Sequence, residues 1–172
     1  MTIDPDLVGT WNNGGSRPVE ITSDAELWIL GKPWPYTISS DDKTATFPGT
    51  NPLWVLTRIS GAGTLFGLWE RFEADTSGTW REEWLIRADG SYTYHWSLDG
   101  QFDSEGIGTY TDTGTHMTTR ERRSALTTGA GNTITIAQFF GPLQQGTYTV
   151  AGDKKSWVLH LPSGDVTFVE HS

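Results

Sequence analysis

Hydrophobic and polar positions alternate in short runs along almost the whole chain, and turn residues separate the runs. Period-two alternation sends successive side chains to opposite faces of a strand, so the pattern predicts β-structure nearly throughout. Strands are expected near Thr10–Trp11, Val19–Thr22, Leu27–Leu30, Tyr36–Ser39, Thr44–Phe47 and Leu53–Ile59. They are expected again near Leu65–Ala74, Thr79–Arg87, Ser91–Leu98, Gly106–Thr111, His116–Arg123, Thr133–Phe140, Thr147–Ala151, Ser156–Leu161 and Asp165–Glu170. Asp89-Gly90, between two strong runs, is a hairpin signal because such turns need positive φ. Asp99-Gly100, Thr113-Gly114 and Ser163-Gly164 punctuate the chain in the same way. No long segment carries the 3.6-residue period, so helix is confined to a short piece near Asp4–Val8 or around Ser124–Thr127. The segment Thr127–Asn132 reads as a loop, a mobile lip over a cavity.

The pattern repeats. Leu7-Val8-Gly9-Thr10-Trp11 returns as Leu65-Phe66-Gly67-Leu68-Trp69, and a third Gly-x-Trp stands at Gly78-Thr79-Trp80. Gly lets the backbone bend or approach closely before the large aromatic. Tyr36-Thr37-Ile38, a polar turn and Thr44 onward are echoed by Tyr148-Thr149-Val150, a turn and Ser156 onward. Either duplication or the ordinary convergence of hairpin compositions produces this second echo. Two related β-units, 1–60 and 65–172, follow from the repeats, with Ser60–Thr64 as the joint. A unit of about 60 residues buries little surface alone. The expectation is therefore all-β: a single antiparallel barrel over residues 1–172.

The Leu-x-Gly-x-Trp start, followed by hairpins such as Trp84–Trp96 and by Gly108-Thr109-Tyr110, resembles the lipocalin-like (calycin) barrels. The likeness is closest to their intracellular bacterial members. The resemblance implies a barrel with a ligand cavity and a tryptophan near its entrance that packs against a late arginine. The last arginine of this chain is Arg123. Small barrels of this general kind also serve some cofactor-free cyclases, an analogy of fold alone.

Composition narrows the function. The 172 residues hold 12 Lys and Arg against 21 Asp and Glu, a net charge of −9. That excludes a basic face for phosphate neutralisation, so no nucleic-acid partner is expected. Cysteine is absent, which removes disulfides and thiol chemistry. Residues 1–6 show neither a basic n-region nor an apolar h-region, and no apolar run approaches the roughly 20 residues of a membrane span. A cytoplasmic protein without a membrane partner is expected. The four histidines lack metal-ligand spacing, and no phosphate loop, Rossmann glycine pattern or serine-nucleophile motif appears. No metal and no cofactor are expected.

Candidate chemistry lies on the strands that follow the second repeat. Glu70 shares a face with Phe66, Leu68 and Phe72, and Glu82 with Trp80, Trp84 and Ile86. A carboxylate in an apolar cavity has its charged form disfavoured and suits general acid–base work. Tyr92 and Tyr94 could polarise a carbonyl by hydrogen bonding. Glu70, Glu82, Tyr92 and Tyr94 are the catalytic candidates; Trp34, Trp84, Trp96, Phe72, Arg120 and Arg122 are the binding candidates. Charged residues of this kind either line the cavity or form a solvated outer face with cross-strand pairs. Nine tryptophans suit a cavity for a flat apolar ligand or a packed core.

Two functions fit. One is a cofactor-independent cyclase, isomerase or lyase acting on an apolar small molecule held in the barrel. The other is a non-catalytic carrier of a hydrophobic small molecule. A structural module whose tryptophans only fill a core is the third reading.

Overall fold

The structure is a computed structural model and describes residues 3–50, 53–139 and 142–172. Among the described residues sixteen strands make up the sheet: β1 (Gly9–Asn12), β2 (Val19–Ile21), β3 (Glu26–Leu30), β4 (Trp34–Pro35), β5 (Thr37–Ile38), β6 (Thr44–Phe47), β7 (Trp54–Ser60) and β8 (Gly67–Asp75). They continue as β9 (Gly78–Ile86), β10 (Ser91–Leu98), β11 (Gln101–Asp112), β12 (His116–Gly129), β13 (Thr133–Gln138), β14 (Gln144–Val150), β15 (Ser156–Leu161) and β16 (Gly164–Glu170). The fold is all-β. Among the described residues helix is limited to the 3-10 turns Pro5–Leu7 and Ala130–Asn132.

Two expectations change. Ser124–Thr127 is strand, with Ser124 and Leu126 buried and Thr127 exposed. The first half of the expected lip at Thr127–Asn132 is ladder: Thr127, Thr128 and Gly129 pair with Thr135, Ile134 and Thr133, so only the 3-10 turn Ala130–Asn132 remains as a loop. Polar threonines concealed a strand there because one of its faces is solvated. The strand expected at Thr133–Phe140 is described as far as Gln138, and Phe140 lies outside the described residues.

The chain packs as two compact units, Met1–Gly31 with Glu121–Ser172, and Lys32–Arg120. They are composed differently from the expected 1–60 and 65–172, and the joint Ser60–Thr64 falls inside the second unit, between β7 and β8. In the first unit, β13, β14, β15, β16, β1, β2, β3 and β12 follow one another, and β12 pairs with β13. That closes an eight-stranded antiparallel barrel. In the second unit the order runs from β5 through β6, β7, β8, β9, β10 and β11 to β12, which pairs with β4. Tyr36 alone separates β4 from β5, and its N–H donates to the Thr115 carbonyl. These pairings also return on themselves.

Each unit has its own core. In the first, Leu7, Trp11, Val19, Ile21, Leu126 and Trp157 belong to one buried cluster. In the second, Leu65, Trp69, Trp84, Ile86, Tyr92 and Phe47 belong to another. The repeated motif has the same job in both. The Trp11 indole N–H donates to the Leu7 carbonyl at 2.9 Å, and the Trp69 indole to the Leu65 carbonyl at 2.8 Å, all of it buried. Leucine fills the core, and tryptophan folds back over the glycine to satisfy a carbonyl that would otherwise be buried unpaired. Gly9 and Gly67 have φ of 153° and 133°, values that side-chain-bearing residues rarely adopt.

The registers align the units strand by strand. Gly9 and Trp11 lie opposite Ile21 and Val19, as Gly67 and Trp69 lie opposite Ile86 and Trp84. Ile21 and Val19 face Leu27 and Ile29; Ile86 and Trp84 face Tyr92 and Tyr94. The second echo obeys the same rule. Val150 lies opposite Trp157, and Ile38 opposite Ala45. Thus β1, β2 and β3 match β8, β9 and β10, while β14, β15 and β16 match β4–β5, β6 and β7. Each sequence repeat has its strands divided between the two units.

Candidate functional site

In the first unit β1 ends at Asn12, just after Trp11. In the second unit β8 runs on past Trp69 to Asp75 and returns as β9 from Gly78. The period-two rule then fixes what faces inward. Arg71 and Glu73 follow Trp69 on its face, opposite Glu82 and Trp80. A cavity of about 220 Å³ opens here, lined by Arg71, Glu73, Asp75, Trp80, Arg81, Glu82 and Trp96.

Glu82 is the buried charge of the site, 8% exposed. It accepts from the Trp84 indole at 2.8 Å, from the Trp54 indole at 3.2 Å, and from Arg71 at 3.4 Å. A buried carboxylate needs such partners, since desolvation without them is costly. Arg71 also pairs with Glu73. Trp84 stacks against both Tyr92 and Tyr94, with ring centroids 5.1 and 5.0 Å away. Tyr94 leads on to Trp96 at 6.3 Å, and Trp96 meets Trp80 at 6.3 Å with planes 66° apart. Trp96 is 42% exposed, so the aromatic series runs from the core to the mouth of the cavity. The Trp80 indole is held by Asp75 at 3.1 Å and Ser77 at 3.2 Å. Hydrogen bonds from the Ser77 hydroxyl and backbone, then from Trp80, hold the Asp75 carboxyl below its ordinary value.

Of the expected residues, the structure brings Glu82, Trp84, Tyr92, Tyr94 and Trp96 together. Glu70 and Phe72 are corrected: they lie on the outer face of β8, because Trp69 takes the inner one. Glu70 pairs with Arg81 at 3.1 Å, and Phe72 is 59% exposed with the Arg81 guanidinium 5.9 Å from its ring. Trp34 packs against the core of the second unit, opposite Met117, and does not line the cavity. Arg120 belongs to the second unit and is half-buried, also away from the lining. Arg122 belongs to the first, where it pairs with Glu26 and lies 4.6 Å from the Phe139 ring.

Arg71, Glu73, Asp75 and Trp80 were not singled out from the sequence. Two signals were available. Glycine fixes Trp69 inward and therefore Arg71 and Glu73 with it. The third Gly-x-Trp also lacks the leucine four residues before its tryptophan, where Thr76 stands. Here the Trp80 indole donates to the Asp75 and Ser77 side chains at the mouth instead of to a backbone carbonyl. No arginine follows Arg123, so the late arginine that the lipocalin-like resemblance implies is missing; a mid-chain one packs on a repeated tryptophan instead, with the Arg58 guanidinium 4.1 Å from the Trp69 ring. Arg58 sits on β7, opposite Trp69 on β8, and β7 corresponds to the final strand of the first unit.

Among the described residues, no group of three or more His, Asp or Glu is placed to hold a metal ion, and no helix is long and apolar enough to cross a membrane. The class defined by fold and site is an antiparallel eight-stranded β-barrel, compatible with a lipocalin-like fold. No protein-family model matches the chain, no curated protein is significantly similar to it, and no solved structure matches it.

Proposed function

We propose that this protein is a small-molecule-binding barrel of lipocalin-like type, with its ligand site in the second unit at the cavity lined by Trp80 and Trp96. The observation that carries the reading is the cavity of about 220 Å³ with two indole walls and charged groups along one side. Drug-sized ligands occupy roughly 300–1,000 Å³, so the ligand suited to this space is smaller. A small molecule, rather than nucleic acid or a membrane, is the proposed partner, and the cytoplasm the proposed location.

Binding ranks above the cyclase, isomerase or lyase reading. Both oxygens of Glu82 accept from indoles, one of them also from Arg71, and Glu70 faces outward. A proton-transfer group has to reach the reacting atom; Glu82 lines the cavity with both oxygens already accepting, and Glu70 lies on the outer face.

The test is titration with fragment-sized aromatics of three charge types: benzyl alcohol, benzoate and benzyltrimethylammonium. Tryptophan fluorescence and thermal shift supply the readouts. At least one member should bind saturably, and Trp80→Ala with Trp96→Ala should abolish that binding while the fold persists by far-UV circular dichroism. Absence of saturable binding by every member overturns the proposal. So does binding that survives both substitutions.

A further inference from the structure

The cavity is poor in positive charge that a ligand could use. Arg81 is already held by Glu70 at 3.1 Å and Glu83 at 2.9 Å. Arg71 is held between Glu73 and Glu82. With Asp75 at the rim, three carboxylates and two guanidiniums line the cavity, and both guanidiniums are already paired. The remaining walls are indoles, whose faces carry the negative end of the ring quadrupole. Trp80 and Trp96 have centroids 6.3 Å apart and planes 66° apart. One cationic centre can therefore lie within about 6 Å of both, the range of a cation–π contact. Trp80 is held in place by Asp75 and Ser77 through its indole N–H. Its ring is thus oriented before any ligand arrives, which lowers the ordering cost of binding.

We propose that the ligand taken at this site is an organic cation, an alkylammonium head seated against Trp80 and Trp96 with Glu73 and Asp75 beside it. This rests on the binding reading above and adds the ligand's charge to it. The indoles supply attraction without a dedicated hydrogen-bond acceptor, so a methylated ammonium fits as well as a primary one. An anionic ligand would meet the surplus carboxylates, and a neutral one would gain only the apolar contact.

The experiment compares choline with its uncharged isostere 3,3-dimethyl-1-butanol and with the anion 3,3-dimethylbutanoate, by isothermal titration at low salt. Choline should bind at least tenfold more tightly than the other two. Glu73→Gln should weaken choline severalfold and leave the neutral isostere unchanged. Trp80→Ala should weaken both. Equal affinity for choline and 3,3-dimethyl-1-butanol, lost in Trp80→Ala, overturns the cation assignment and leaves the binding reading standing. Tighter binding of the anion overturns the cation assignment as well. If none of the three binds and the aromatic panel also fails, both readings fall together. If benzyl alcohol or benzoate binds and choline does not, only the cation assignment falls.

Discussion

The two units follow one plan and differ in what fills it. Where the first has Val19, Leu27 and Ile29, the second has Trp84, Tyr92 and Tyr94 at matching registers. Where the first hairpin stops at Asn12, the second continues to Asp75. At these matched positions the first unit is aliphatic, while elsewhere its core holds Trp11, Trp157 and Phe168. The second has an aromatic series with indole N–H groups, and these allow Glu82 to be buried among donors. The hairpin extension carries that polar interior to the surface and makes a cavity of its end. The shared staple of Leu, Gly and Trp is structural in both units; the candidate site is built on what only one of them has.

The largest expected effect tests whether the staples are equivalent. Trp11→Ala and Trp69→Ala should each cost about 3–5 kcal/mol in urea denaturation, as large-to-small changes at buried aromatics do. Trp69→Ala should cost more, because it also releases Arg58 from its stacked position. Equal costs would show that the Arg58 contact contributes nothing.

Next is Glu82, the buried carboxylate beside the second unit's cavity. Glu82→Leu should destabilise by about 3–5 kcal/mol, since it leaves two indole N–H groups without their acceptor and Arg71 with Glu73 alone. Glu82→Gln should cost less, because an amide oxygen still accepts from one of them. If Glu82→Leu is neutral in denaturation, the carboxylate is not held as described.

A smaller difference separates the glycines. Gly9→Ala and Gly67→Ala both place a side chain at positive φ, worth about 1–3 kcal/mol. At Gly67 the added carbon would also collide with the Ser60 carbonyl, whereas at Gly9 it meets only the Trp11 ring at 3.5 Å. Gly67→Ala should therefore be the more damaging. The reverse order would contradict the matched geometry of β1 and β8.

The smallest effect concerns alkaline pH and applies to both units. Burial, then the Asp4 hydrogen bond, pushes Tyr148 up to about 12. Burial, then the Asp112 hydrogen bonds, raises Tyr36 as well. A raised phenol stabilises the folded state fully below its unfolded value of about 10, and that contribution is lost as pH rises through the folded value. Stability should thus fall between about pH 10 and pH 12, and Tyr148→Phe or Tyr36→Phe should flatten the slope. An unchanged slope in both variants would remove the tyrosines as its cause.

Much of the strand pattern was legible because period-two alternation, Asp-Gly turns and the repeated Leu-x-Gly-x-Trp are local signals. Thr44–Phe47, Ser91–Leu98 and Ser156–Leu161 match their strands end to end. Glu82 and its apolar face were legible for the same reason. The inner face of β8 was read the wrong way round, because Phe66, Leu68 and Phe72 look more apolar than Gly67, Arg71 and Glu73. The indole of Trp69 settles the matter, since one large side chain over a glycine outweighs several smaller ones at a strand edge.

What the sequence determined by itself is the class of structure: an all-β chain with two copies of a glycine–tryptophan staple and a carboxylate set in an apolar row. Each of these depends on residues a few positions apart. The tertiary structure decided which strands share a ring. Residues 7–30 join 121–170, and 34–60 join 65–120, a choice made by long-range pairing that no local pattern encodes. It also decided that Arg58, far from the last strand in sequence, covers Trp69, and that Arg71, Trp80 and Trp96 meet around one cavity. Side chains converge there from three strands, and only the register between strands brings them together.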